Sequence, residues 1–230
     1  MKLRVKFSKK GPLRFIGHLD IMRYFQKAIR RSGIPICYTT GFSPHQIMSF
    51  AAPLGVGVES EGEYFDIEVK SVTTEQQMMD SLNAQMAEGI VIEGIRILPD
   101  HIKNAMASIQ AASYYVSLHT NKNADELKLM IEKLLAQEEI IYTKEGKKGK
   151  DPIVRDIRPS IYELFLCDDN RLYMLVDASS AANVKPSAVV ESLYRIFDEN
   201  TPDIQILRID TFTRNESGDL ISLGEVGEKF

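Results

Sequence analysis

The sequence predicts an α+β protein made of two tandem ferredoxin-like units, each running βαββαβ with an antiparallel sheet. Two observations carry this expectation. Hydrophobic periodicity switches repeatedly between the two-residue period of a strand and the 3.6-residue period of a helix. The resulting elements also run through a similar order twice, matching in order and not in residue identity. The expected division is a first unit over 1–100, a linker over 101–112, a second unit over 113–214 and a flexible tail over 215–230.

Lys2 to Ser8 alternates, with Leu3, Val5 and Phe7 opposite Lys2, Arg4 and Lys6, the pattern of a half-buried strand. Lys9-Lys10-Gly11-Pro12 breaks it, and Leu13 to Ile16 is expected to resume extended chain. From His18 the period changes: Ile21, Met22, Phe25, Ala28 and Ile29 share one side of a helix, and Arg23, Lys27, Arg30 and Arg31 share another. Gly33 and then Pro35 give the expected stop. Short strands follow at 36–38 and 46–50 around the loop Gly41-Phe42-Ser43-Pro44-His45. Tyr64 to Val69 alternates again, Thr73 or Thr74 caps a helix reaching about Ala87, and Ile90 to Ile97 is a strand.

The second cycle reads as a strand over 114–119, a helix over 125–137, strands at 140–143 and 161–167 flanking a basic loop, and a strand over 171–177. Pro186 suits the first turn of a helix reaching about Asp198, and Ile204 to Phe212 closes the cycle. The segment beyond Asn215 is polar and contains glycine, a composition that frays.

At 230 residues, with 44% hydrophobic and 26% charged residues, the chain has the balance of a globular protein. No apolar run approaches the roughly 20 residues of a membrane-spanning helix, and none resembles a signal peptide. Cys37 and Cys167 stand far apart, which fits a reducing compartment and excludes a Cys-based zinc or iron–sulfur cluster supplied by this chain alone. A cytoplasmic protein is expected. GxxxxGK[ST], GxGxxG after a strand and HExxH are all absent, so no cofactor is expected.

Charge is distributed unevenly. The first fifty residues carry ten cations and one acid, Asp20, for a net of +9, although the whole chain carries −4. Residues 51–100 carry two cations and ten acids, for a net of −8. Such segregation points to a polyanionic partner, here RNA. The residues expected to contact it are Arg4, Lys6, Arg14, Arg23, Lys27, Arg30 and Arg31, with a second grip from Lys147, Lys148, Lys150, Arg155 and Arg158. Phe42 either offers a ring for base stacking or packs into the core from its turn. A solvated helix face and a soluble hairpin loop are the plainer readings of the two basic elements. His18 and His45 are the candidates for general acid–base chemistry, which would make the chain a metal-independent endoribonuclease. The sequence otherwise names no reaction.

Arg14-Phe-Ile-Gly-His-Leu-Asp-Ile-Met-Arg23, Ala28-Ile-Arg-Arg-Ser-Gly33, Gly41-Phe-Ser-Pro-His45, Pro53-Leu-Gly-Val-Gly-Val-Glu-Ser-Glu-Gly-Glu63 and Asp156-Ile-Arg-Pro159 together resemble a bacterial family of unknown function linked to radical-SAM proteins. The resemblance implies the free-standing form of a domain otherwise fused behind a B12-type radical-SAM protein. Such members are often encoded near an RNase E/G-type ribonuclease and ribosomal protein genes. It also implies a radical-SAM partner, because this chain has no CxxxCxxC triplet of its own. A weaker likeness is to CRISPR-type RNA-binding proteins, which also pair two ferredoxin-like units. The expected role is a non-catalytic RNA-binding accessory, with a protein–protein module that docks on the radical-SAM enzyme without RNA as the alternative.

Overall fold

The computed structural model describes residues 1–144 and 151–230. It is an α+β chain with mostly antiparallel strands, and it divides into two compact units, residues 1–110 with 208–230, and residues 111–207.

The first unit contains β1 (Lys2–Lys9), α1 (His18–Ser32), β2 (Met48–Phe50), β3 (Glu59–Glu68), α2 (Glu75–Asn83), β4 (Ile90–Leu98) and the short α3 (Ala105–Ser108). The order β4-β1-β3-β2 is antiparallel throughout and places the first and third strands centrally, as a split βαβ unit requires. Leu3, Val5 and Phe7 face α1 and α2, whose Ile21, Phe25, Ile29, Met78 and Leu82 complete a buried core with Phe65, Ile67 and Ile95. Phe25 anchors that core, its ring centroid 4.7 Å from Phe7 and 4.8 Å from Phe65. Gly33 ends α1 in the left-handed region, and Thr74 caps α2 by accepting from the Gln77 amide.

Two local expectations fail here. Residues 11–15 form a 3-10 turn instead of resuming extended chain, because Pro12 fixes its φ and the Ile16 amide bonds back to the Leu13 carbonyl. β3 starts at Glu59, earlier than the apolar alternation at Tyr64 suggests. Three of the extra residues, Glu59, Glu61 and Glu63, are acidic, and their side chains meet cations.

The second unit contains β5 (Ala111–Leu118), α4 (Ala124–Leu135), β6 (Ile141–Lys144), β7 (Ile153–Asp156), β8 (Ile161–Leu166), β9 (Leu172–Asp177), α5 (Pro186–Arg195) and the first residues of β10 (Ile204–Arg214). Its order, β10-β5-β9-β8, again sets the first and third strands of the cycle at the centre. Asn123 and Glu126 close a capping box at the start of α4. Val116, Leu172, Met174 and Val176 pack under α4 and α5 against Leu127, Leu134, Val189 and Leu193. Part of the expected basic loop is instead a strand, because β7 pairs antiparallel with β6 in a separate two-stranded sheet.

The unit boundaries depart from the sequence division at β10. From Arg208 onward this strand belongs to the first unit, where Arg208 pairs with buried Glu63 at 2.9 Å and Thr211 Oγ1 donates to the Gly62 carbonyl at 3.1 Å. The expected flexible tail is ordered as well. β11 (Leu220–Ser222) pairs with β10, Leu223 is fully buried, and Ile97 and Glu228 exchange two backbone hydrogen bonds of 2.9 Å. The few apolar residues there find partners only through contacts far away in the chain.

Candidate nucleic-acid interface

The ten cations of the first fifty residues divide by element. On β1, side chains alternate, so Arg4 and Lys6 lie on the face away from the helices. Arg4 is only 1% exposed. Its Nε and Nη2 donate to the two Asp66 oxygens at 2.8 and 3.0 Å, and Nη2 also reaches the Lys103 carbonyl. Asp66 Oδ2 accepts a further bond from the Ala105 amide, so this fork pins α3 onto the sheet. Arg4 therefore holds the fold together and is not available to a phosphate. Lys6 lies 3.5 Å from Asp210, Lys10 lies 2.6 Å from Glu61, and Arg14 lies 3.1 Å from Glu59 while stacking on Phe15. The acidic stretch that follows thus pairs with Arg4, Lys10 and Arg14, and Asp210 of β10 pairs with Lys6.

The helix cations are different. Arg23, Lys27, Arg30 and Arg31 are exposed on the side of α1 opposite its buried Ile21, Phe25, Ala28 and Ile29. Arg23 pairs loosely with Asp20 of its own helix, both side chains more than two-thirds exposed. Arg31 donates to the Gln85 side chain and backbone. Among the described residues, no carboxylate forms an ion pair with Lys27, Arg30 or Arg31. Four cations at i, i+4, i+7 and i+8 form one continuous stripe.

A hairpin stands beside this stripe. Tyr38 pairs with Gln46, the Thr39 amide donates to the His45 carbonyl, and the Gln46 side chain donates to the Gln26 carbonyl of α1 at 3.1 Å. Phe42 at its tip is fully exposed, not packed in the core, and Gly41 supplies the positive φ of 114° that the turn needs.

The two histidines are not brought together. His18 sits at the first turn of α1 with its ring edge-on to Phe50, 5.6 Å away. It lines a cavity of about 10 Å³ with Lys9 and Glu63, room for a single water. Burial holds the Lys9 ammonium below its ordinary value, with Glu63 opposing and Arg208 reinforcing the effect. His45 is exposed and its Nδ1 lies 3.1 Å from Thr39 Oγ1.

In the second unit, Arg155 and Arg158 also act within the fold. Arg155 donates to the Ala182 and Asn183 carbonyls ahead of α5, and Arg158 donates to the Leu135 carbonyl at the end of α4. Asp156 Oδ1 accepts from the Ile140 and Arg158 amides, and Ile157 is buried, which accounts for the Asp156-Ile-Arg-Pro159 string as a structural turn. Lys147, Lys148 and Lys150 lie outside the described residues.

A family model described as an uncharacterized protein conserved in bacteria (DUF2344) matches residues 2–186. The chain belongs to that family. No curated protein matches it. Among solved structures it is similar to a chain of the crystal structure of a Cbf5-Nop10-Gar1 complex, with a TM-score of 0.51 and 10% identity. The match covers 94% of this chain and 51% of that one, so the present chain spans about half its length, and the likeness shows the fold alone. Among the described residues, no helix is long and apolar enough to cross a membrane.

One polar cluster of the first unit escapes sequence reasoning. On the sheet face that carries Arg4, a cleft of about 290 Å³ is lined by Lys6, Tyr64, Arg96, Asp210 and Ser222. Tyr64 donates to Asp210 Oδ1 at 2.5 Å, and Ser222 donates to Oδ2 at 2.7 Å. Burial, then the Asp210 charge, pushes the Tyr64 phenol far above its ordinary value, so it stays a donor at physiological pH. Its cations are balanced by Asp210, Glu93 and Glu225, so the cleft is no second anion site. The sequence hides it because its members are contributed by distant strands.

Proposed function

We propose that this protein is a non-catalytic RNA-binding accessory that works beside a radical-SAM enzyme, gripping phosphates with the outer face of α1. The observation that supports this most directly is the stripe Arg23, Lys27, Arg30 and Arg31, which stays exposed while Arg4, Lys6, Lys10 and Arg14 are each paired with a carboxylate. Each phosphate contact releases counterions, so log K falls with log salt by roughly 0.7 per contact on a single strand. Four contacts give a slope near −3, by the same estimate. Fluorescence anisotropy with labelled RNA between 50 and 200 mM salt reads it directly. Lys27→Ala with Arg30→Ala should flatten the slope by about 1.4 and weaken binding of single-stranded and duplex RNA alike. A slope indifferent to both substitutions rules the assignment out.

The protein–protein reading has its own observation. Phe15, Leu19 and Val56 are each more than 60% exposed around the 3-10 turn, where the Gly57 amide donates to the Arg14 carbonyl. Exposed apolar side chains gathered beside a cation suit a protein partner. A radical-SAM enzyme that co-purifies after nuclease treatment, and is released by Leu19→Lys, is the expected result if this surface docks the partner. Loss of the complex on nuclease treatment alone would make RNA the bridge instead.

A further inference from the structure

Three aromatic rings on the helix-free sheet face of the second unit stand in one row. Tyr115 of β5 is directly opposite Tyr173 of β9, and Tyr173 is directly opposite Phe165 of β8. Phe165 and Tyr173 are stacked, with centroids 4.7 Å apart and planes 26° from parallel, and Tyr115 meets Tyr173 edge-on at 5.8 Å. The Arg171 guanidinium lies over the Tyr115 ring at 4.2 Å and is held there by Asp169 at 2.7 Å. Period-two alternation explains the placement: Tyr114, Val116, Leu164, Leu172 and Met174 point into the core under α4 and α5, so their neighbours point away. A strand position in the outward phase ordinarily holds a polar residue, yet here three adjacent strands each present a ring. Phe165 is 48% exposed.

We infer that this row is a stacking platform for the unpaired bases of a single-stranded nucleic acid. The inference rests on the reading that the protein binds RNA, and assigns it a second, chemically distinct contact. Phe165 and Tyr173 cover one face of each other and Arg171 covers a face of Tyr115, so a base stacks on the exposed outer side of Phe165 and continues the aromatic row. The flanking charges fit base contact better than backbone contact. Arg171 is already paired with Asp169, and Glu163 lies on the same outer side of β8, so among the described residues the row itself offers no unpaired cation to a phosphate. Binding here should discriminate single strands from duplexes, whose bases are stacked on each other, and should depend little on salt.

The test uses the full chain, a labelled 12-nucleotide oligouridylate and an RNA duplex of matched length. The chain has no tryptophan and nine tyrosines, so its intrinsic fluorescence is that of tyrosine and should be quenched by the single strand. Phe165→Ala should weaken oligouridylate binding about tenfold, leave duplex binding and the salt slope unchanged, and keep the thermal melt of the parent. Phe165→Tyr, which keeps a ring, should bind as the parent does. Unchanged oligouridylate affinity in Phe165→Ala, or an equal loss on the duplex, overturns the platform. So does a self-association, seen by sedimentation, that Phe165→Ala abolishes while RNA binding persists, for the row would then be an interface between copies. If the α1 substitutions alter the salt slope but Phe165→Ala alters nothing, only the platform fails. If Phe165→Ala weakens the single strand and the α1 substitutions do nothing, only the α1 assignment fails.

Discussion

Asp66→Ala should unfold the first unit at markedly milder conditions than the parent chain, with a loss of about 3–5 kcal/mol in urea or thermal unfolding. The reason is the asymmetry of buried charge. Arg4 is 1% exposed, and with Asp66 gone its guanidinium would stay in the interior with only the Lys103 carbonyl as partner. Arginine does not neutralise itself by losing a proton at accessible pH, so the structure must open to hydrate it. The Ala105 amide loses its acceptor at the same time, releasing α3. Replacing both partners, as Arg4→Met with Asp66→Leu, strands no charge and should recover about 2 kcal/mol of the loss. The remaining deficit should be about 1–3 kcal/mol, the penalty for an unsatisfied buried amide at Ala105. Equal destabilisation by the single and double replacements would show that the pair contributes nothing particular.

Gly62→Ala should be nearly as damaging. A methyl group added there would lie 2.6 Å from the Ile209 carbonyl oxygen and closer still to Asp210 Cα. Both obstacles are backbone, so no side chain can rotate away, and β3 must separate from β10. Overpacking usually costs about 1–3 kcal/mol, and a backbone-to-backbone clash belongs at the upper end, near 3. Three contacts nearby depend on that close approach: Thr211 to the Gly62 carbonyl, Tyr64 to Asp210, and Glu63 to Arg208. Amide hydrogen exchange should therefore show residues 208–214 losing protection before β1 or β4 does. Uniform loss across the unit would contradict this account.

The sequence is legible where structure is local. Leu3, Val5 and Phe7 alternate over a few residues, and Ile21, Phe25 and Ile29 repeat over two turns, so β1 and α1 can be read directly. The repeated βαββαβ order follows from the same signals. Glu59 to Glu63 cannot be read this way, because Glu63 takes the inward phase of Phe65 and Ile67, opposite Phe7, so the apolar alternation stops before the strand does. The difference between Arg4 and Arg30 is equally hidden. Both are cations in a basic segment, and only a partner 62 residues away separates the buried one from the free one. A sequence clue existed, for the −8 of residues 51–100 has to compensate something, and the nearest surplus is the +9 before it. Phe165, Tyr173 and Tyr115 carry a fainter signal: each is an aromatic residue on the outward phase of its own strand.

The path of β10 bears on how the chain is assembled during synthesis. Because residues 208–230 complete the unit that residues 1–110 begin, the ribosome must deliver the whole of the intervening unit before the first can close. Residues 111–207 are contiguous and can mature at once, whereas β3 waits beside an unfilled edge. The acidic side chains along the start of that waiting strand discourage it from pairing with a neighbouring nascent chain.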